Sequence, residues 1–194
     1  MKFEYPKGAT PIDADEAADL IPNLTTQKEL NEWEQTNISE AVIKHHNKKY
    51  STDEILDVNF LLGIHKDMFG KTWKWAGQIR KSEKNIGSAP ERIREHLKIL
   101  IDDVKFWLIN TTYSKDETCV RFHRRIVGIH LFPNGNGRHA RFVTDLLAES
   151  LGIQPFTWGS KDLYNPGEAR TQYINALKEA DKNNYEPLLK FVRT

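Results

Sequence analysis

The chain has 194 residues, of which 39% are hydrophobic and 28% are charged. A chain of this length can bury a core as one domain without cross-links. With 28 basic and 27 acidic residues the net charge is +1, so no overall field favours nucleic-acid or membrane binding, and we expect neither. The single cysteine, Cys119, excludes an intramolecular disulfide. No apolar run has the length of a signal peptide or a membrane span, and we expect a soluble, cytoplasmic protein.

An irregular amino-terminal arm is predicted for residues 1–24, where three prolines interrupt any regular pattern. Residues 25–194 are predicted to form a single domain, because no repeat, linker or low-complexity segment divides them. The first helix of this domain is predicted over 27–46. The residues predicted to share its inner face are Leu30, Trp33, Asn37 and Val42.

A second helix and a hairpin are predicted next along the chain. An apolar stretch predicts a helix over 52–68 that is closed by Gly70. Residues 77–87 are too polar for the core and too punctuated for a helix, and they favour a small β-hairpin. A capping box that starts at Ser88 then opens a long amphipathic helix.

The second half of the chain is also predicted to be helical. A capping box at Ser114 opens a helix that ends near residue 130. A further helix follows the run 130–141, and two more are expected at about 168–181 and 186–192. The predicted fold class is therefore all-α, a single helical domain with one small β-hairpin.

The run His130-Leu-Phe-Pro-Asn-Gly-Asn-Gly-Arg-His-Ala-Arg141 predicts a phosphate cradle at the start of a helix. Glycines on both sides of an asparagine allow the backbone to turn successive N–H groups toward one point. The free amides and dipole at a helix start favour an anion there. Arg138 and Arg141, three residues apart, project from one side of the first turns. His130 stands just before the loop, where an imidazole can take a proton from a hydroxyl.

The same run resembles the signature of the Fic family, which is His-x-Phe-x-(Asp or Glu)-Gly-Asn-Gly-Arg with a second Arg three residues on. The matching residues are His130, Phe132, Gly135, Asn136, Gly137, Arg138 and Arg141. Most of residues 25–192 also resembles the Fic-type group called mobile mystery protein B, through residues 31–35, the signature run and residues 185–189. The resemblance implies the same architecture, a helical domain with a hairpin flap.

The resemblance implies transfer of AMP from ATP to a Ser, Thr or Tyr hydroxyl of a target protein. His130 is then the general base, and Asn136 and Arg138 complete the catalytic set. The residues expected to hold the nucleotide phosphates are Gly135, Asn136, Gly137, Arg138 and Arg141. In a kinase-like branch of the family Lys replaces Gly137, so glycine here favours nucleotidyl transfer over phosphorylation.

Asn134 departs from the family pattern, which has Asp or Glu at this position. That carboxylate holds Mg²⁺ against the phosphates, because a hard dication prefers charged oxygen ligands. An amide oxygen is a poorer ligand. Mg²⁺ is therefore an expected cofactor whose ligand at Asn134 is in doubt.

A control element and a target-binding element are also implied by the resemblance. Many Fic proteins carry an inhibitory helix with the pattern (Ser or Thr)-x-x-x-Glu-(Gly or Asn), and Thr36 and Glu40 in helix 27–46 are similar. Glu40 is then expected to pair with Arg141 in the place of the outer phosphate. The flap at 77–87 is expected to add the target segment as a strand. Its predicted contact residues are Ile79, Arg80, Ile86 and Gly87, and the predicted base and ribose contacts are Tyr173, Asn175, Tyr164 and Asn165.

Two other functions are compatible with the sequence. One is a Fic fold with altered or lost activity, kinase-like or transferring another nucleotide, that acts as the toxin or binding member of a two-protein module with a helix-turn-helix partner. The other is a metal-dependent nuclease built on His123, His130 and His139, although no carboxylate or cysteine lies among them in a metal-ligand spacing. The sequence does not predict an oligomeric state.

Overall fold

The protein is all-helical, as a computed structural model describes it for residues 11–160, 163 and 167–194. The α-helices in these ranges are α1 Ala14–Ala17, α2 Gln27–His46, α3 Thr52–Ile55, α4 Val58–Phe69, α5 Ile93–Ile109, α6 Lys115–Ile129, α7 Asn136–Ser150, α8 Glu168–Asp181 and α9 Glu186–Val192. Single 3₁₀ turns cover Pro90–Arg92 and Trp158–Ser160. The all-α prediction is confirmed, and the predicted limits of α2, α8 and α9 agree with the structure.

The core is built from helix pairs that place the signature run at a turn. α2 packs on α4, α5 and α7 pack on α6, and α8 packs on α9. The largest completely buried side chains lie in α3 to α6 and in the turns that follow α3, α4 and α6. Because α6 and α7 pack closely and flank residues 130–135, the short turn between them is held by the core on both sides.

The predicted helix over 52–68 is divided in two. α3 ends when Leu56 leaves helical geometry (φ −84°, ψ 49°), and α4 starts one residue after Asp57. The Asp57 carboxylate accepts a hydrogen bond from the Phe60 amide at 3.0 Å, so an N-cap opens a second helix inside the apolar stretch. Gly70 follows the end of α4 as predicted.

The two predicted capping boxes have different outcomes. Ser114 accepts a hydrogen bond from the Glu117 amide at 3.2 Å and caps α6. Ser88 does not cap the helix that follows it, because its hydroxyl pairs with Nδ1 of His96 at 2.7 Å. α5 is instead preceded by the 3₁₀ turn that begins at Pro90.

The predicted β-hairpin at 77–87 is wrong, since this segment contains turns and bends but no strand. Its backbone bonds go to the chain beside His130: the Arg80 amide donates to the Leu131 carbonyl at 3.0 Å, and the Ser88 amide donates to the Ile129 carbonyl at 3.1 Å. Arg80 is 2% exposed, and its side chain lies between the first and second halves of this segment. It donates to the Ser82 carbonyl in the first half and to the Ser88 carbonyl just after the second, in place of hydrogen bonds between the two halves.

The inner face of α2 is largely polar. Its buried residues are Leu30, Glu34, Asn37, Ala41 and His45. Trp33 and Val42, which were expected on this face, are 42% and 36% exposed. Hydrogen bonds between side chains anchor the helix, because Glu34 accepts from Nε1 of Trp73 at 2.8 Å and Asn37 donates to Thr72 at 2.9 Å. α2 is therefore held by specific polar contacts more than by apolar burial.

Residues 11–24 contain the single turn of α1 and one antiparallel bridge between Leu20 and Trp73, and are otherwise irregular. No helix within the described ranges has the length and apolar character needed to span a membrane.

Candidate active site

His130 follows α6 directly, at the C-cap position, and has a left-handed backbone conformation (φ 59°, ψ 65°). His is one of the residues that tolerate this conformation better than most. The side chain is 6% exposed, and neither ring nitrogen has a hydrogen-bond partner among the described residues. A buried polar group without a partner is costly in a native structure, and a bound molecule can supply the missing hydrogen bond.

The electrostatic surroundings of His130 keep its imidazole neutral. Burial lowers its pKa most, and the positive charges of Arg80 and Lys84 lower it further, to about 4. At neutral pH the ring therefore has one nitrogen free to accept a proton.

The turn after His130 is fixed by an aromatic stack and an amide bridge. Phe132 is completely buried and stacks on His65 with ring centroids 3.6 Å apart. The Asn136 amide group accepts from the Phe132 N–H at 2.9 Å and donates to the Phe132 carbonyl at 2.7 Å. Gly135 has φ 80°, and a Cβ there would lie 2.7 Å from the Phe69 ring, so both the conformation and the space require glycine.

The first turn of α7 presents two arginines with different surroundings. Arg138 pairs with the Glu34 carboxylate of α2 at 2.7 Å, and both side chains are mostly buried. Arg141 lies next to the Tyr173 ring, 5.8 Å from its centroid. Within the described ranges no carboxylate forms an ion pair with Arg141.

A cavity of about 470 Å³ lies between α2 and α7 and has both arginines in its lining. The rest of its wall is mainly apolar and includes Ile38, Phe142 and Leu146, with the carboxyl of Asp145 among them. Burial raises the pKa of Asp145 to about 7, although its hydrogen bonds from Trp158 and from the Phe156 amide oppose the rise. The two arginines bring positive charge to a largely apolar cavity that also contains the carboxyls of Asp145 and Glu149, and such fixed guanidinium groups suit a phosphorylated ligand.

Comparison with known proteins agrees with this geometry. Residues 55–148 match the sequence model of the Fic/DOC family. The chain contains a Fic domain. This match covers α4 to α7 and the whole signature run.

Relatives and solved structures extend the similarity over most of the chain. The protein adenylyltransferase fic-1 of Caenorhabditis elegans is 28% identical over 148 residues, which are 72% of this chain and 27% of that protein. The chain thus spans about a quarter of the length of that curated relative. The amino-terminal Fic domain of a putative cell filamentation protein from Bartonella quintana has a TM-score of 0.72 at 18% identity, over 88% of this chain and 84% of that one. The BepC protein of Bartonella tribocorum, solved with AMPPNP, has a TM-score of 0.69 at 18% identity, over 88% and 87%.

The predicted inhibitory contact between Glu40 and Arg141 of the Fic domain is absent. Glu40 is about half exposed and pairs with Lys71. Thr36 is exposed, and its hydroxyl donates to the Glu32 carbonyl of its own helix at 3.0 Å. Glu34 is six residues before Glu40 and hence about 240° around the helix, so the two carboxylates cannot face the same site. The carboxylate that does reach a signature arginine is that of Glu34.

Glu34 was missed by the sequence analysis because it does not fit the inhibitory pattern. Its position was nonetheless detectable. Glu34 lies four residues after Leu30 and three before Asn37, which is the spacing of one helix face, and both of these residues are predicted on the inner face.

Asn134 does not provide the oxygen ligands that hold Mg²⁺ in proteins. Its side-chain oxygen already accepts hydrogen bonds from the Gly135 amide at 2.7 Å and from Arg138 at 3.3 Å. Its carbonyl pairs with Nε2 of His65 at 3.1 Å. In the ranges described, no group of three or more His, Cys, Asp or Glu residues could hold a metal ion. A single neutral oxygen that already accepts two hydrogen bonds does not fit a hard dication, which prefers charged oxygen ligands.

The histidines of the nuclease alternative do not converge. His123 is hydrogen-bonded to the Tyr173 hydroxyl at 2.8 Å, and His139 is hydrogen-bonded to the Leu61 carbonyl at 2.8 Å. Both rings are buried in the core, whereas His130 lies at the loop.

The remaining predicted contact residues are distributed unevenly. Arg80 is buried in the loop, Ile79 is half-buried and Ile86 is 48% exposed, while Gly87 contacts His130. Tyr173 is buried next to Arg141, and Asn175 is exposed on α8. Tyr164 and Asn165 lie outside the described residues.

Proposed function

We propose that this protein is an adenylyltransferase that transfers AMP from ATP to a Ser, Thr or Tyr hydroxyl of a target protein. The observation that carries the proposal is the neutral, buried imidazole of His130, which has no hydrogen-bond partner among the residues that the structure describes, just before the start of α7. The Fic domain and the adenylyltransferase relatives support the same chemistry.

His130 supplies the base that a hydroxyl nucleophile needs at neutral pH. The target oxygen attacks the α-phosphorus of ATP while its proton passes to the imidazole. The bond between the α-phosphorus and the bridging oxygen to the β-phosphate breaks, and pyrophosphate leaves. The products are AMP esterified to the target and pyrophosphate.

The start of α7 stabilises the phosphates in this scheme. The amides of Asn136 and Gly137 lie in the first turn of α7, where helix N–H groups have no partner within the helix, whereas the Gly135 amide is bonded to Asn134. The guanidinium groups of Arg138 and Arg141 add fixed positive charge, and a planar fork can donate two hydrogen bonds to phosphate oxygens.

We propose further that α2 restrains the enzyme through Glu34. Glu34 accepts from Nη1 of Arg138 and Asn134 accepts from Nη2, so a phosphate that binds both terminal nitrogens has to replace these partners. Removal of the Glu34 carboxylate would release Arg138 for the nucleotide.

The test is incubation of the wild type and three variants with each of four labelled nucleoside triphosphates, in cell lysate with Mg²⁺. We expect His130→Ala to abolish label transfer and Glu34→Gly to raise it about tenfold, which corresponds to about 1.4 kcal/mol. Glu40→Gly is the matched control and should leave transfer unchanged. Label that persists in His130→Ala would refute the role of the imidazole, and equal effects of the two glutamate variants would refute the role of Glu34.

The subgroup resemblance adds a proposed setting. We propose a cytoplasmic two-protein module in which a helix-turn-helix protein accompanies this one. Co-purification of the two proteins from a co-expressing cell would support the pairing, and their separate elution would contradict it.

A further inference from the structure

The segment 80–88 borders His130 on one side. A Cβ on Gly87 would lie 2.6 Å from the His130 Cβ, and the Arg80 guanidinium donates to the His130 carbonyl at 2.7 Å. A target segment that brings a hydroxyl to the imidazole must therefore pass along this loop.

A buried cation stands in the same loop. The Lys84 side chain is 3% exposed, and its ammonium group pairs with Glu16 at 2.6 Å and with Asp13 at 2.8 Å. It also donates to the Pro11 carbonyl at 3.2 Å. The charge of Lys84 acts on the reaction centre, since it is one of the charges that lower the pKa of His130.

The carboxylates that pair with Lys84 come from α1 and from Asp13, its N-cap residue. α1 is a single helical turn with no buried residue, and a helix of this length is unstable in isolation. Asp13 remains about half exposed. Glu16 is also bonded to the Ser82 hydroxyl at 2.7 Å, and its carbonyl accepts from Nε1 of Trp75 at 3.0 Å. The contacts of Asp13 and Glu16 with Lys84 and Ser82 are polar, whereas Ile12 and Leu20 on either side of α1 pack against the core, so an exchange of carboxylates at Lys84 is local to this turn.

We propose that Lys84 selects target segments that carry carboxylates beside the acceptor hydroxyl, and that Asp13 and Glu16 of this chain fill that position in the present structure. This proposal rests on the proposed adenylyl transfer and names the class of target it takes. A buried ammonium group left without a carboxylate is strongly unfavourable. An acidic target replaces one ion pair with another, whereas a neutral target could enter this position only by leaving Lys84 unpaired.

Binding tests the proposal without any need for catalysis. Two pools of short fluorescent peptides have a central Ser, Thr or Tyr, flanked by Glu in one pool and by Gln in the other, and affinity is read by anisotropy. We expect the full-length Asp13→Asn/Glu16→Gln variant to bind the Glu pool about tenfold more tightly than the wild type does. Asp15→Asn removes the same charge from the same turn and should bind as the wild type does.

Variants of Lys84 then assign the preference. In the Asp13→Asn/Glu16→Gln background, Lys84→Met should bind both pools equally, Lys84→Arg should keep the preference for Glu, and Lys81→Met is the matched control that keeps it too. Equal binding of the two pools before Lys84 is changed, or a preference that survives Lys84→Met, would overturn the proposal.

Transfer of labelled AMP to the same pools separates this proposal from the proposed function. Label on both pools at the same rate, unaffected by Lys84→Met, would refute acidic selection and leave the transferase standing. Glu-selective binding through Lys84 with no label in any variant, Glu34→Gly included, would refute the transferase and leave the recognition standing.

Discussion

Asn134 occupies a position where a single oxygen decides the local chemistry. Its amide oxygen accepts from Arg138 and from the Gly135 N–H, and a carboxylate would keep both bonds while adding a negative charge. We expect Asn134→Asp to lower the Mg²⁺ concentration for half-maximal transfer and to raise the transfer rate, because carboxylates are the preferred protein ligands of hard dications. Mg²⁺ titrations of the two proteins provide the measurement. Coincident titration curves would contradict the prediction.

Asp145 is a second residue with a specific consequence. Its pKa is about 7 in the folded protein and 3.8 without the fold, so between these values the folded state holds a proton that the unfolded state has released. Its contribution to stability therefore falls as pH rises through 7, by up to about 4 kcal/mol at about 1.4 kcal/mol per pKa unit. We expect the difference in unfolding free energy between wild type and Asp145→Asn to move in favour of the variant from about pH 5 to about pH 8. Urea denaturation at both pH values measures it, and a constant difference would be inconsistent with a buried, titrating carboxyl.

At the scale of elements, the loop 77–87 depends on one side chain. The Arg80 guanidinium donates to the carbonyls of His130, Ser82 and Ser88, and lysine cannot reach all three. We expect Arg80→Lys to cost roughly 2–4 kcal/mol of unfolding free energy, because buried carbonyls lose their donors. Urea denaturation gives the value. Arg94→Lys, on the exposed side of α5, is the control and should change stability by less than about 0.5 kcal/mol; an equal loss in both variants would show that Arg80 has no special role.

Across the whole molecule, buried neutral histidines set the response to acid. Burial holds the pKa of His65 well below 6.5, that of His123 at about 3, and those of His130 and His139 at about 4. The unfolded chain binds these protons below pH 6.5 and the folded protein does not, so stability is lost as pH falls from 6.5 toward 4. On unfolding near pH 5, each of the four histidines binds a proton and Asp145 releases one. The net uptake is therefore about three protons.

The slope of unfolding free energy against pH measures this uptake. His46→Gln, an exposed position, should leave the slope unchanged, and His139→Gln should reduce it. A wild-type slope of zero between about pH 5 and 6 would mean that the buried rings do not titrate as described.

Much of this molecule follows from sequence patterns, and the exceptions have physical causes. The limits of α2, α8 and α9 follow from periodicity, and the turn at His130 follows from its glycines. Periodicity identified Leu30 and Asn37 on the inner face of α2 but not Glu34, because that face is largely polar and its partners, Trp73 and Thr72, lie far along the chain. The hairpin failed because Arg80 bonds to carbonyls of a distant segment, and such tertiary contacts leave no local signal.

The ion pair between Glu34 and Arg138 joins α2 to the rest of the protein at the point where substrate is proposed to bind. Most ligands stabilise the protein that binds them. Here a nucleotide in the pocket is expected to break the Glu34–Arg138 ion pair, which is one of the contacts between α2 and the core. Saturation with nucleotide should consequently make α2 easier for a protease to cut, so that the protein is most compact when it is empty.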